Sequence, residues 1–182
     1  MEKVIADYVS GFTLGELQTY KNFAVIPVFH QANGSPYYLT LKEALEQGLL
    51  TITEVGHEGT VPELKVINKG DSAVLLLDGE ELVGAKQNRV LNTTILLAGH
   101  TETVIPVSCT EHGRWSYQSS TFGDSDVVMA SQVRREKSRS VSHNLKTAGQ
   151  YRSNQGEVWD GIADMSREAQ GCFSNCRHAR RI

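Results

Sequence analysis

The stretch 73–115 constrains this chain most, because short apolar runs separated by turn residues dictate strands there, and the sequence inserts carboxylates, amides and cations into them. Ala73-Val74-Leu75-Leu76-Leu77 is a continuous apolar run, which predicts a strand covered on both faces. Asp78-Gly79 is a two-residue hairpin signal, so a return strand is expected from Glu80, with Glu80 opposite Leu77 and Glu81 opposite Leu76. Strands over 88–97 and 101–109 follow, joined by Ala98-Gly99-His100, and Trp115-Ser116-Tyr117 offers one more short strand.

The flanking sequence completes the pattern. Residues 23–29 form an apolar, β-branched and aromatic run in which Pro27 marks an edge or a bulge, and Gly34-Ser35-Pro36 ends it. Thr40 followed by Glu43 is a capping box opening a short helix that Gly48 closes. Residues 50–55 alternate well and 63–67 less so, before a turn cluster at 68–71. Beyond Gly123 the period changes: 127–146 reads as a helix with a stop at Gly149, and Asn154 with Glu157 resembles a second capping box ahead of Val158, Ile162 and Met165. Strands to about residue 120 and helices after it predict an α+β fold, a mainly antiparallel β sandwich or partly open barrel with C-terminal helices.

With 182 residues, one domain is expected, over 1–163, followed by a divergent tail at 164–182 without fixed structure. No window approaches the roughly 20 apolar residues of a membrane helix. The acids Glu2 and Asp7 stand where a secretory signal carries basic and then apolar residues, so a cytoplasmic location is expected. Cys109, Cys172 and Cys176 form no disulfide framework, and Cys172, Cys176 and His178 lack a fourth ligand at zinc spacing, so no metal is expected. Charge is uneven. Residues 1–133 carry 8 Lys+Arg against 16 Asp+Glu, whereas 134–182 carry 10 against 5. A basic segment of this kind either meets phosphate-bearing ligands or is a solvated helix complementing its own acidic body.

The charged residues of the strand region are the candidates for chemistry. Glu80 and Glu81 must point to opposite faces, and a carboxylate entering a dry region needs a cation, for which Lys86, Arg89 and Arg114 are nearest in sequence. Alternation puts Asn88, Val90, Asn92 and Thr94 on one face and Arg89, Leu91, Thr93 and Ile95 on the other, so Arg89 lies on the apolar side and needs a planar anion. That anion is either a protein carboxylate or a ligand. Cys109 shares a face with Thr103, Ile105 and Val107, which makes it a core side chain rather than a nucleophile for His112. Glu111, Arg114 and Trp115, beyond the strand end, suit a pocket mouth, although Trp115 alone could simply close the core. Lys137, Ser138, Arg139 and Ser140, with Tyr151, Arg152, Gln155, Glu157 and Trp159, form a third polar set in the helical region. No phosphate loop, dinucleotide glycine fingerprint or nucleophile elbow is present.

The string Leu75-Leu76-Leu77-Asp78-Gly79-Glu80-Glu81-Leu82-Val83-Gly84-Ala85-Lys86-Gln87-Asn88-Arg89 resembles the bacterial ARPP-1 domain, the ARG and rhodanese-phosphatase-superfamily-associated protein domain, in which ARG denotes ADP-ribosylglycohydrolase. The likeness extends to 90–94, Ile105-Pro106-Val107-Ser108-Cys109, Glu111, Gly113-Arg114-Trp115-Ser116-Tyr117, Tyr151-Arg152-Ser153 and Gln155-Gly156-Glu157-Val158-Trp159, spanning about 12–163. Relatives of this kind continue past Trp159 with further ordered sequence, so a truncated or altered C-terminus is expected here.

The resemblance implies a role near ADP-ribose-like or nucleotide-derived metabolites, by genomic association with ADP-ribosylglycohydrolase-like and phosphatase-like proteins. The expected function is binding of a small anionic, nucleotide- or ADP-ribose-like ligand, with Lys86, Asn88, Arg89, Asn92, Arg114, Trp115, Arg152, Gln155 and Trp159 as its binding residues and no cofactor. Nucleic acid is not the expected partner. One alternative is a hydrolase with catalytic carboxylates drawn from Glu80, Glu81, Glu111 and Glu157. Another is a structural or interaction domain whose polar cluster is a self-satisfied ion-pair network.

Overall fold

A computed structural model describes residues 2–30, 37–56, 59–111, 113 and 115–178, with Glu2, Val4 and 168–178 as backbone only. The chain divides into two compact units, Met1–Pro36 and Tyr37–Ile182. The first holds helix α1 (Glu2–Ser10) and four three-residue strands: β1 (Phe12–Leu14), β2 (Gln18–Tyr20), β3 (Phe23–Val25) and β4 (Val28–His30). They pair as two antiparallel ribbons, β1 with β4 and β2 with β3. The expected strand over 23–29 is therefore two, split at Ile26-Pro27, since proline cannot donate to a ladder.

In the second unit, β5 (Tyr38–Thr40) leads into α2 (Leu41–Glu46), whose first turn is closed by the Thr40 and Glu43 capping box. Then come β6 (Leu50–Glu54), β7 (Glu63–Asn68), β8 (Ala73–Leu76), β9 (Glu80–Gly84), β10 (Arg89–Leu91), β11 (Ile95–Leu97), β12 (Thr101–Cys109) and β13 (Phe122–Val128). Helices α3 (Ser131–Ala148) and α4 (Gln155–His178) finish the chain. The fold is α+β. Six strands in the order β13-β9-β10-β12-β7-β6, all antiparallel, curl into a half-barrel, and β11-β8-β5 form a smaller sheet in which β5 and β8 run parallel. Leu41, Ala44, Ile52, Leu64, Val66, Leu76, Leu82, Leu91, Ile105, Val107 and Phe122 meet in a common core. No helix among the described residues is long and apolar enough to cross a membrane.

Five local expectations give way. Asp78-Gly79 does turn the chain, with Glu80 N–H donating to the Leu77 carbonyl, but β8 and β9 do not pair. The Glu80 carboxylate takes the Leu77 N–H and the Thr94 hydroxyl takes the Asp78 N–H, so the two strands part into different sheets at this corner. The 73–77 run is covered on one face, leaving Leu77 exposed. The strand expected over 88–97 is β10 and β11, because the chain changes sheets at 92–94. Residues 122–128, whose polar Gly-Asp-Ser-Asp middle hides their pattern, form β13, so α3 starts later than the sequence suggests, and 115–117 is no strand.

Candidate functional site

The alternation read from the sequence holds along β10. Arg89 lies across from Cys109 and Leu82, and Leu91 from Val107, all facing the core, while Val90 turns outward with Ser108 and Glu81 as its cross-strand neighbours. Arg89 is fully buried, so its guanidinium must be answered inside the protein. Its partner is Glu54 on β6, at 3.6 Å from Nη2 to Oε1, with the carboxylate buried as well. This is an ion pair too long for a hydrogen bond. Nη1 donates to the Gln87 side chain at 3.1 Å and to Cys109 Sγ at 3.1 Å, and Lys86 N–H donates to Glu54 Oε1 at 3.4 Å. Glu54 Oε2, Arg89 Nε and Arg89 Nη2 have no hydrogen-bond partner among the described residues.

Trp115 covers this pair. Its ring centroid lies 5.6 Å from Arg89 Cζ and 5.1 Å from Lys86 Nζ, and Tyr117 holds the same ammonium at 5.1 Å. Two cations thus sit against aromatic faces, an arrangement favoured by the ring quadrupole. Cys109 is buried beside them, and burial pushes its thiol up, against the lowering influence of the Arg89 charge. A thiol so held is a poor nucleophile.

The outward face of the same strands carries a different chemistry. A cavity of about 440 Å³ lies between this face and helices α3 and α4, walled by Val90, Val127, Met129, Val133, Ile162 and Met165. Glu81, Thr110 and Glu111 supply polar groups on the sheet side, and Ser166 supplies one from α4. The Thr110 hydroxyl donates to Glu81 at 2.7 Å and Asn88 N–H donates to Glu111 at 2.8 Å, so a hydrogen bond orients each carboxylate. Further along, Ser108 donates to Asn92 at 2.6 Å and meets Ser153 at 2.5 Å, while Asn92 donates to the Tyr151 carbonyl. Gln155 imitates a strand: its amide accepts from Cys109 N–H and donates to the Cys109 carbonyl, both at 2.8 Å, which fixes the start of α4 on β12.

The residues singled out from the sequence therefore separate. Lys86, Arg89 and Trp115 belong to the aromatic-covered ion pair, and Glu81, Glu111 and the Asn88 backbone to the cavity. Asn92 and Gln155 lie in the seam that holds 151–155 to the sheet. Arg152 is exposed, its carbonyl accepting from Asn144, and Trp159 sits half-buried on α4. Glu157 accepts from Asn154 at the head of α4, and half-buried Glu80 is held by Leu77 N–H, its pKa raised by burial against that bond. Arg114 and His112 lie outside the described residues, as do the side chains of Cys172, Cys176 and His178. The cation expected to answer Glu80 and Glu81 is not Arg89, which is committed to Glu54.

Sequence reasoning missed Glu54, although alternation over 50–54 places it with buried Leu50 and Ile52. It also missed that Lys137 turns inward. Lys137 is fully buried, donates to Asp78 and, at 2.7 Å, to the Leu91 carbonyl, and Ser138 donates to Asp78 at 3.1 Å. Burial lowers the Lys137 pKa, and the Asp78 bond opposes that shift. Among the described residues, no group of three or more His, Cys, Asp or Glu side chains is arranged to hold a metal.

A curled antiparallel sheet with a buried ion pair on one face and an acid-bearing cavity beneath two helices on the other defines an α+β domain built around a polar strand centre. The chain belongs to the family described as ARPP-1, ARG and Rhodanese-Phosphatase-superfamily-associated Protein domain, whose model matches residues 11–181. The match takes in 164–181 as well as the stretch that carries the resemblance. Comparison with curated proteins and with solved structures gives no match.

Proposed function

We propose that the domain binds a small nucleotide- or ADP-ribose-like ligand in the cavity between the outer face of the sheet and helices α3 and α4. The carrying observation is the pairing in that cavity of an apolar wall with oriented carboxylates and a hydroxyl on its sheet side. Carboxylates accept hydrogen bonds from sugar hydroxyls and repel phosphates. The ribose hydroxyls accordingly face Glu81 and Glu111, a planar ring lies on Val133 and Ile162, and the anionic group points away from the acids. The family's name, which couples it to ADP-ribosylglycohydrolase-type and phosphatase-type proteins, supports this ligand class.

A thermal-shift screen of the full chain with ADP-ribose, nucleotides and ribose phosphates tests the proposal. A ligand present at 100 times its Kd stabilises the native state by about 2.7 kcal/mol, a readily measured shift. Glu81→Gln and Glu111→Gln are each expected to weaken binding while leaving the unliganded melt nearly unchanged. Absence of a saturable shift with every member of the panel sinks the reading.

A second reading rests on the presence of Glu81 and Glu111 in one cavity: hydrolysis at a glycosidic or phosphate centre with these two as acid and base. Turnover of an ADP-ribose derivative, lost in both Glu81→Gln and Glu111→Gln, favours it. Saturable binding without turnover eliminates it in favour of the binder.

A further inference from the structure

The outer face of α3 carries a groove of about 460 Å³ that shares no lining residue with the cavity above. It is lined by Arg135, Ser138, Arg139, Ser142, His143 and Lys146. On a helix these fall into two adjacent rows of spacing four, Arg135-Arg139-His143 and Ser138-Ser142-Lys146. Each row runs about 12 Å at 1.5 Å per residue. One row is cationic or titratable, and the other is two hydroxyls ending in an ammonium. Every member except half-buried Ser138 is exposed.

Arg135 and Arg139 stand against the local physics of the helix, whereas Lys146 lies in its last turn, where the dipole favours a cation. Arg135 and Arg139 repel as a like-charged pair four residues apart. The first turn contains no acid, Ala130 provides no side-chain cap, and Arg134 and Arg135 stand near the positive end of the helix dipole. Among the described residues, none of Arg135, Arg139 and Lys146 has a carboxylate within 4.0 Å, although the rest of the chain is acid-rich. The cation of α3 that does find an acid, Lys137, faces inward to Asp78. A helix start that breaks capping, dipole and pairing preferences together is where a ligand is to be sought.

We propose that this groove is a second binding site, separate from the cavity, for the di- or triphosphate group of a small molecule. Arg135 and Arg139 present forked donors to phosphate oxygens, Lys146 adds a point charge at the far end, and the Ser142 hydroxyl donates between them. The groove's volume lies in the range of small-molecule sites, and its length suits a short phosphate chain rather than an extended polymer.

Titration calorimetry of the full chain with inorganic pyrophosphate and tripolyphosphate, at low and at high potassium chloride, tests the site. Saturable binding that weakens with salt is expected, with a loss of about tenfold or more in R135A/R139A/K146A and none in the control Lys69→Ala, a basic surface residue elsewhere. The triple variant removes exposed side chains and should keep the wild-type melt; Ser142→Glu, which puts a negative charge into an otherwise intact groove, should show the same loss. Unchanged affinity in both variants overturns the site, as does the absence of saturable binding by either anion. Binding of single-stranded oligonucleotides alone, with neither small anion retained, also overturns it by assigning the face to nucleic acid.

Discussion

Arg89 is a charged residue placed where the strand pattern calls for an aliphatic one, and its effect on stability depends on Glu54 remaining in place. Removing one member of a buried pair leaves an uncompensated charge, so Arg89→Ala and Glu54→Ala are each expected to destabilise by about 3–5 kcal/mol, read as the midpoint of urea unfolding. The double change Arg89→Ala/Glu54→Ala should cost less than the two single changes together; strict additivity would show that the two side chains do not act as a pair. Cys109, buried and with its thiol pKa raised, should resist iodoacetamide in the native state and react on unfolding. In a Cys172→Ser/Cys176→Ser background, fast native labelling would contradict the placement. Glu80 adds a pH dependence of definite sign. Its folded pKa lies above the ordinary value because of burial, so the folded state holds the proton longer, and this contribution to stability is full at low pH and is lost as pH rises through the folded value. Glu80→Gln, whose amide oxygen can still accept from Leu77, should flatten that decline in urea midpoints measured from about pH 4 to pH 7; a decline of unchanged slope would remove Glu80 as its source.

At the scale of elements, the helix ends were the most legible parts of the chain. The Thr40 and Glu43 capping box forms as its spacing implies, Gly149 takes the left-handed conformation that stops α3, and the Asn154 side chain accepts from Gly156 N–H as it starts α4. These motifs involve neighbours in sequence, so they need no knowledge of the rest of the fold. Thr40→Ala should cost about 1 kcal/mol in thermal or urea unfolding, the usual loss for such a cap. The corner at Asp78-Gly79 was legible as a turn and illegible as a corner. Local sequence favours reversal, whereas the choice between pairing β8 with β9 and sending them into different sheets depends on Thr94, Leu91 and Met129, whose groups hold the turn from distant positions. Lys137 shows the same limit. On a surface helix a lysine reads as solvated, and only the approach of the Asp78 corner to α3 makes its burial tolerable.

At the scale of the whole molecule, the half-barrel's curl is what creates the buried pair. β10 and β6 stand three places apart in the strand order, which in a flat sheet would separate them by about 14 Å at the usual spacing of neighbouring strands. Curling brings Arg89 and Glu54 across the interior to 3.6 Å. The common core is drawn from residues of the second unit alone, so a chain lacking residues 1–36 is expected to keep a cooperative unfolding transition; a non-cooperative melt would show that the core is incomplete without the first unit.

The sequence by itself determined the alternation that turns Arg89 and Cys109 inward and Val90 outward, the helix caps, the α+β class and the family, because each rests on the two-residue or 3.6-residue period or on short motifs. Only the tertiary structure decided that Glu54 answers Arg89, that Glu81 and Glu111 share one cavity and that Lys137 and Arg139 part to opposite sides of α3. Those pairings join residues tens of positions apart, and the curvature of the sheet and the seating of the helices, to which local periodicity is blind, set the distances between them.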